Sequence, residues 1–102
     1  MAINKIHVTS GTGDVQAVAA ADAGWTLKLC GFSVSEDAGS TAEVVIRDGT
    51  SNSDTPAVAP INCAASGFGM WGISNQGIPC PDGIYVDRVS GTTTVVLYVD
   101  KT

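Results

Sequence analysis

The sequence predicts an all-β domain, a compact antiparallel β-sandwich of about seven to eight strands. Three observations predict it. Apolar residues alternate with polar ones in period two at residues 3 to 9, 42 to 48 and 93 to 100, the repeat of a strand with two different faces. Helix signals are nearly absent, because the one stretch of helical composition, Val15 to Ala21, is shorter than the roughly 12–15 residues an isolated helix needs. Between the runs stand Gly, Asn, Asp, Ser and Pro, at the spacing of turns in a sandwich or barrel. At 102 residues the chain is read as a single domain over 1–102, with 1–24 set apart as an N-terminal arm. A jelly roll is one of the topologies open to it.

The first run, Ile3 to Thr9, sets Ile3, Lys5 and His7 against Asn4, Ile6 and Val8, a strand with one buried face. Val15 to Ala21 stands open between a strand and a short helix. In Thr26 to Ser35 the apolar parity flips, from Leu27 and Leu29 to Phe32 and Val34, across Cys30-Gly31. A flip at a glycine marks a bulge, where one extra residue re-aims the side chains. Ala42 to Asp48 points Val44 and Ile46 inward, and Asp48-Gly49 opens a turn. Ala57 to Ala64 is placed at a sheet edge because Pro60 lacks a ladder donor. Gly67 to Gly72 is expected as a flexible aromatic loop. Ile84 to Ser90 and Thr93 to Asp100 are expected to close the chain as a hairpin through Ser90-Gly91-Thr92.

Composition narrows the function classes. Charged residues are only 15% of the chain against 44% apolar, which excludes disorder. Ten acids against five bases give −5, and Lys5, Lys28, Arg47, Arg88 and Lys101 are scattered, so a nucleic-acid partner is not expected. No stretch approaches the roughly 18 apolar residues of a membrane span, and no apolar signal region opens the chain, so a soluble protein without a membrane partner is expected. Cys30, Cys63 and Cys80 are odd in number and far apart, which predicts free thiols rather than a disulfide framework. With His7 they make four potential zinc ligands, but none shares the short spacing of a zinc site. The loop Asp48 to Asp54 is rich in oxygen yet lacks the order of a calcium loop.

Gly67-Phe68-Gly69-Met70-Trp71-Gly72 matches the G-x-G-x-x-G fingerprint letter for letter. Its context is wrong. The fingerprint works by presenting a helix N-terminus to a pyrophosphate, and the following Ile73 to Pro81 cannot continue as a helix. Glu36-Asp37 and Asp82-Asp87 are the carboxylate pairs in sight, but adjacent acids on a Gly-bounded turn normally face water, and no nucleophile-elbow pattern accompanies His7, so neither catalysis nor a cofactor is expected. Trp25, Trp71, Tyr85 and Tyr98 are of the kind that stack on sugar rings, which keeps a glycan-binding module as a rival reading.

Contacts with a partner are expected from two places. Ile3, Lys5 and His7 belong to a terminal β-prone segment, and such strands are ordered mainly when something pairs with them. Phe68, Met70 and Trp71 are bulky groups on glycine hinges, the anchors that interfaces favour.

Lys28-Leu29-Cys30-Gly31-Phe32-Ser33-Val34, Ala42 to Gly49, Gly83-Ile84-Tyr85-Val86 and Thr94 to Val99 together resemble a type of small tailed-bacteriophage virion protein. In that type a "K-L-x-G-F-x-V" strand, a strand ending in "D-G" or "D-N", a "P-x-G-I/L-Y-V" strand and a "V-x-V-Y-Y" terminus recur. The resemblance covers residues 26 to 102 and departs from the pattern at Ala65 to Pro79. It implies a capsid decoration or cement protein on the virion surface, assembled in the host cytoplasm, that binds the major capsid protein. A homotrimer or other homo-oligomer is implied with it. A tail or head-fibre component is the neighbouring alternative.

Overall fold

The computed structural model describes residues 3–72 and 76–102. Within them run β1 (Lys5–Gly11), β2 (Val15–Val18), β3 (Leu27–Glu36), β4 (Ala42–Asp48), β5 (Ile61–Cys63), β6 (Phe68–Gly72), β7 (Ile78–Pro79), β8 (Ile84–Ser90) and β9 (Thr93–Lys101). No helix interrupts the described residues. Two antiparallel sheets form, one ordered β1-β9-β3-β6 and the other β2-β8-β4-β5, with the short β7 pairing β3 beyond the end of β6. With β7 set aside, this is the strand order of an eight-stranded jelly roll, two Greek keys wound into facing sheets.

The core lies between the sheets. Leu27, Leu29, Phe32 and Val34 of β3 meet Val44, Ile46, Ile84 and Val86 of the opposite sheet, all of them 5% exposed or less. Both apolar pairs of β3 face inward because the β3–β9 register slips between Leu29 and Gly31, the bulge that the parity flip predicts. Gly31 avoids a close approach there, since a Cβ would lie 3.0 Å from the Trp71 carbonyl oxygen, tighter than most Cβ contacts. Val15 to Ala21 resolves as a strand over Val15–Val18, because Val18 closes the core and β8 supplies a ladder partner. The Ala57 to Ala64 segment holds an edge strand at Ile61–Cys63, paired with β4 alone.

Two expectations are corrected. β8 and β9 do not form a hairpin: β8 pairs β2 and β4, whereas β9 pairs β1 and β3 in the other sheet. Gly91, at φ 84°, turns the chain across the sandwich, and the inward rows of the two strands meet through the core instead of side by side. Alternation specifies that a segment is a strand but not which strand lies beside it. Gly67 to Gly72 is likewise not a loop, for Phe68–Gly72 pairs Gly31–Ser35 of β3 as β6. The ladder offered by β3 overrides the poor strand propensity of glycine.

Candidate functional site

β6 is positioned by a carboxylate. Glu36, 5% exposed at the end of β3, accepts the backbone N–H groups of Ala38 (2.8 Å), Ser40 (3.0 Å) and Ser66 (2.9 Å). These bonds, that from Ser66 foremost, hold its pKa below the ordinary carboxylate value. They tie the turn after β3 to the turn that leads into β6, and the Glu36 N–H completes the link by donating to the Gly67 carbonyl at 2.9 Å.

The solvent-facing side of the β1-β9-β3-β6 sheet then follows from the register. One row across the strands is Val8, Val96, Ser33 and Met70. Its neighbours are Ile6, Tyr98, Gly31 and Gly72 on one side, and Ser10, Thr94, Ser35 and Phe68 on the other. None of these twelve residues carries a charge. Ile6 and Val8 at one edge are 62% and 64% exposed, and Phe68 and Met70 at the opposite edge 73% and 68%. From strand spacing and rise the face measures about 20 by 20 Å, or about 400 Å². Beyond one end stands Asp37, whose carboxylate accepts hydrogen bonds from Thr94 Oγ1 (2.6 Å) and Ser35 Oγ (3.3 Å), and beyond the other end Asp100 pairs Lys28.

The expected contact residues are divided by this geometry. Phe68 and Met70 share the outer face with Ile6 and Val8, about 14 Å away across three strand spacings. Lys5 and His7 point to the other side of β1, where His7 is half-buried and its pKa is lowered, by burial first and then by Lys5 and Lys101. The more apolar side of β1 therefore faces solvent, because the inner side meets the guanidinium of Arg88, which donates to the Thr9 carbonyl at 2.9 Å. Ile3 is half-exposed just before β1. Trp71 pairs Phe32, so its side chain leaves β6 on the inner side, 66% exposed at the mouth of a cavity of about 590 Å³. That cavity opens at the side of the sandwich, between β6 and the 57–61 segment, and apart from the Trp71 indole its lining side chains are purely apolar.

Comparison with known protein families, with curated proteins and with solved structures returns no match.

The polar groups inside the fold serve structure. Arg47 bridges Asp87 at 3.0 Å and reaches the Asp54 carbonyl at 2.8 Å. Asp54 Oδ2 accepts from the backbone N–H of Thr50 (2.7 Å) and Ser51 (3.0 Å), which depresses its pKa and folds the oxygen-rich loop back on itself. Among the described residues no three His, Cys, Asp or Glu side chains converge as metal ligands. Trp71, Tyr85 and Tyr98 do not converge either: Tyr85 lies on the other sheet with its hydroxyl on Asp14 at 3.2 Å, and Tyr98 lies on the outer face. The sequence reading missed Ile6, Val8, Val96 and Tyr98 as members of the face. The signal was there in the parity of β1 and β9, but which parity meets water depends on the partner sheet.

Proposed function

We propose that the protein is a virion structural protein of the capsid decoration type, a non-enzymatic module that docks on the shell of a phage head and stabilises it. One observation carries the reading: the outer sheet presents twelve neighbouring positions without a charge and with bulky apolar groups at both edges. The chain carries a net charge of −5, yet this patch of about 400 Å² holds no charge, and patches of that size are often functional. The segments that resemble phage virion proteins supply β3, β4, β8 and β9, the inner strands of both sheets, which adds support. The partner is then the major capsid protein, and the copies work as a homotrimer or other homo-oligomer. A tail or head-fibre component would use the same face.

The energetics favour many weak contacts. About 400 Å² of buried face is worth at most about 10 kcal/mol at 25 cal/mol per apolar Å², less for its Ser and Thr positions, while association costs 4–15 kcal/mol. A single copy therefore binds weakly, and linked copies gain by avidity. Ligands that bind only the intact shell stabilise it by mass action, about 2.7 kcal/mol per site at a concentration of 100 times Kd.

The cavity beside Trp71 does not favour sugar, because its apolar walls would leave sugar hydroxyls unpaired. The test is co-sedimentation with shells assembled from the capsid protein of the same phage. Val8→Lys places a charge at an exposed position, so the monomer should keep its melting temperature while shell binding falls at least tenfold, the effect of about 1.4 kcal/mol. Shells that fail to bind the unaltered protein, or bind Val8→Lys equally well, overturn the proposal.

A further inference from the structure

Four strands end the two sheets, and β6 is the one left unprotected. β1 carries Lys5 within it, β5 is three residues long and follows Pro60, and β2 is half-buried. β6 reads Phe68-Gly69-Met70-Trp71-Gly72, with no charge and no proline, and one of its sides pairs no strand among the described residues. Such an edge is a template for another strand unless something covers it.

Nothing among the described residues explains the two glycines of β6. Among the described residues a Cβ at Gly72 would meet nothing within 4 Å, and one at Gly69 only Ile61 Cγ2 at 3.5 Å, an ordinary contact. Neither has a positive φ. Glycine inside a strand costs stability, and where the fold does not require it, it marks a place that another backbone or side chain approaches.

We infer that β6 is a homodimer contact, in which it pairs antiparallel with β6 of a second copy about a two-fold axis through Met70. This register sets Met70 opposite Met70, Phe68 opposite Gly72 and Trp71 opposite Gly69. Residues directly opposite in an antiparallel pair share a face. Each Trp71 indole thus lies over the other copy's Gly69, at the cavity between β6 and the 57–61 segment, while each Phe68 covers the other copy's Gly72 on the outer face. Sliding the register by two residues in either direction brings Phe68 against Met70, or Trp71 against Trp71, and loses the match. The self-complementary order of bulky and absent side chains is why the occupant is a second copy rather than an unrelated strand.

The size is consistent with a weak dimer. Fully buried aromatic side chains cover 150–250 Å² each, so Phe68 and Trp71, two-thirds exposed, offer about 100–170 Å² apiece. With Met70 and the cavity wall the contact approaches about 500 Å² per copy, near the floor of about 1,000 Å² in total for a specific interface. An interface of that size belongs to weak, transient association. The pairing makes one eight-stranded sheet from the two four-stranded runs and joins their uncharged outer faces, yet it stands apart from the proposal about phage shells.

Sedimentation of the isolated protein from about 1 µM to 1 mM, a span that reaches weak self-association, tests it without any shell. A monomer–dimer equilibrium is expected. Trp71→Ala and Gly72→Thr should each weaken it about thirtyfold, the effect of a hot-spot truncation, while both variants stay folded by circular dichroism. Met70→Cys should form a covalent dimer under mild oxidation, because opposed Cα atoms 4.5–5.5 Å apart fall within disulfide range, and the unaltered protein with its buried cysteines should not. A monomer throughout, a trimer, a dimer indifferent to Gly72→Thr, or no cross-link at position 70 overturns the inference.

Discussion

Replacing Arg88, in the sequence one of five scattered cations, by methionine should destabilise the fold by about 3 kcal/mol. Arg88 is 6% exposed. Its Nε donates to Thr93 Oγ1 at 2.9 Å, Nη1 to the Gly13 carbonyl at 2.8 Å and Nη2 to the Thr9 carbonyl at 2.9 Å. These bonds clamp the β1–β2 turn to the start of β9, and burial lowers the pKa of the group without discharging it. Methionine keeps the apolar stem and removes the donors. Each charge-assisted bond is worth roughly 1.5–3 kcal/mol net, and relief from burying a cation returns part of the loss, which leaves about 3 kcal/mol. For a domain of this size that lowers Tm by about 12–24 °C. Urea denaturation of Arg88→Met, Thr93→Val and the double variant gives the coupling, which should be about 1 kcal/mol since the two side chains share a bond. A loss below about 0.5 kcal/mol, the range of ordinary surface substitutions, together with additive effects would refute the clamp.

Acid should unfold the protein through Glu36 and Asp54. Both carboxyls are held below their ordinary values of 4.5 and 3.8 by backbone N–H donors, so their contribution is complete above those values and is lost as pH falls through the folded ones. Glu36→Gln should make the stability curve below about pH 4.5 shallower in urea titrations, and an unchanged slope would show that Glu36 is not linked to folding. Thiol labelling at pH 8 should be slow in the native protein and count three thiols in denaturant, because burial pushes Cys80 up to about 12 and raises Cys30 and Cys63 as well. Rapid native labelling of all three would contradict their burial.

Much of this was legible in the residues themselves. The all-β class, the strands at 42–48 and 93–100 and the bulge at Cys30-Gly31 follow from side-chain period and from one glycine, both local properties of the chain. The prominence of Phe68, Met70 and Trp71 was also visible, since three bulky apolar groups between glycines are conspicuous in any context. Only the tertiary structure decided that β8 and β9 belong to different sheets, that 68–72 is an edge strand and that Ile6 and Val8 face water while His7 turns inward. It also decided that Arg88 is buried. Period two specifies two faces for every strand, but which face is covered and which strand lies beside it depend on partners up to 97 residues away, as Asn4 and Lys101 are in their mutual hydrogen bonds. Such pairings are properties of the assembled sandwich, because each strand's hydrogen-bonding edge is the same whatever its side chains, and only the packed core selects among them.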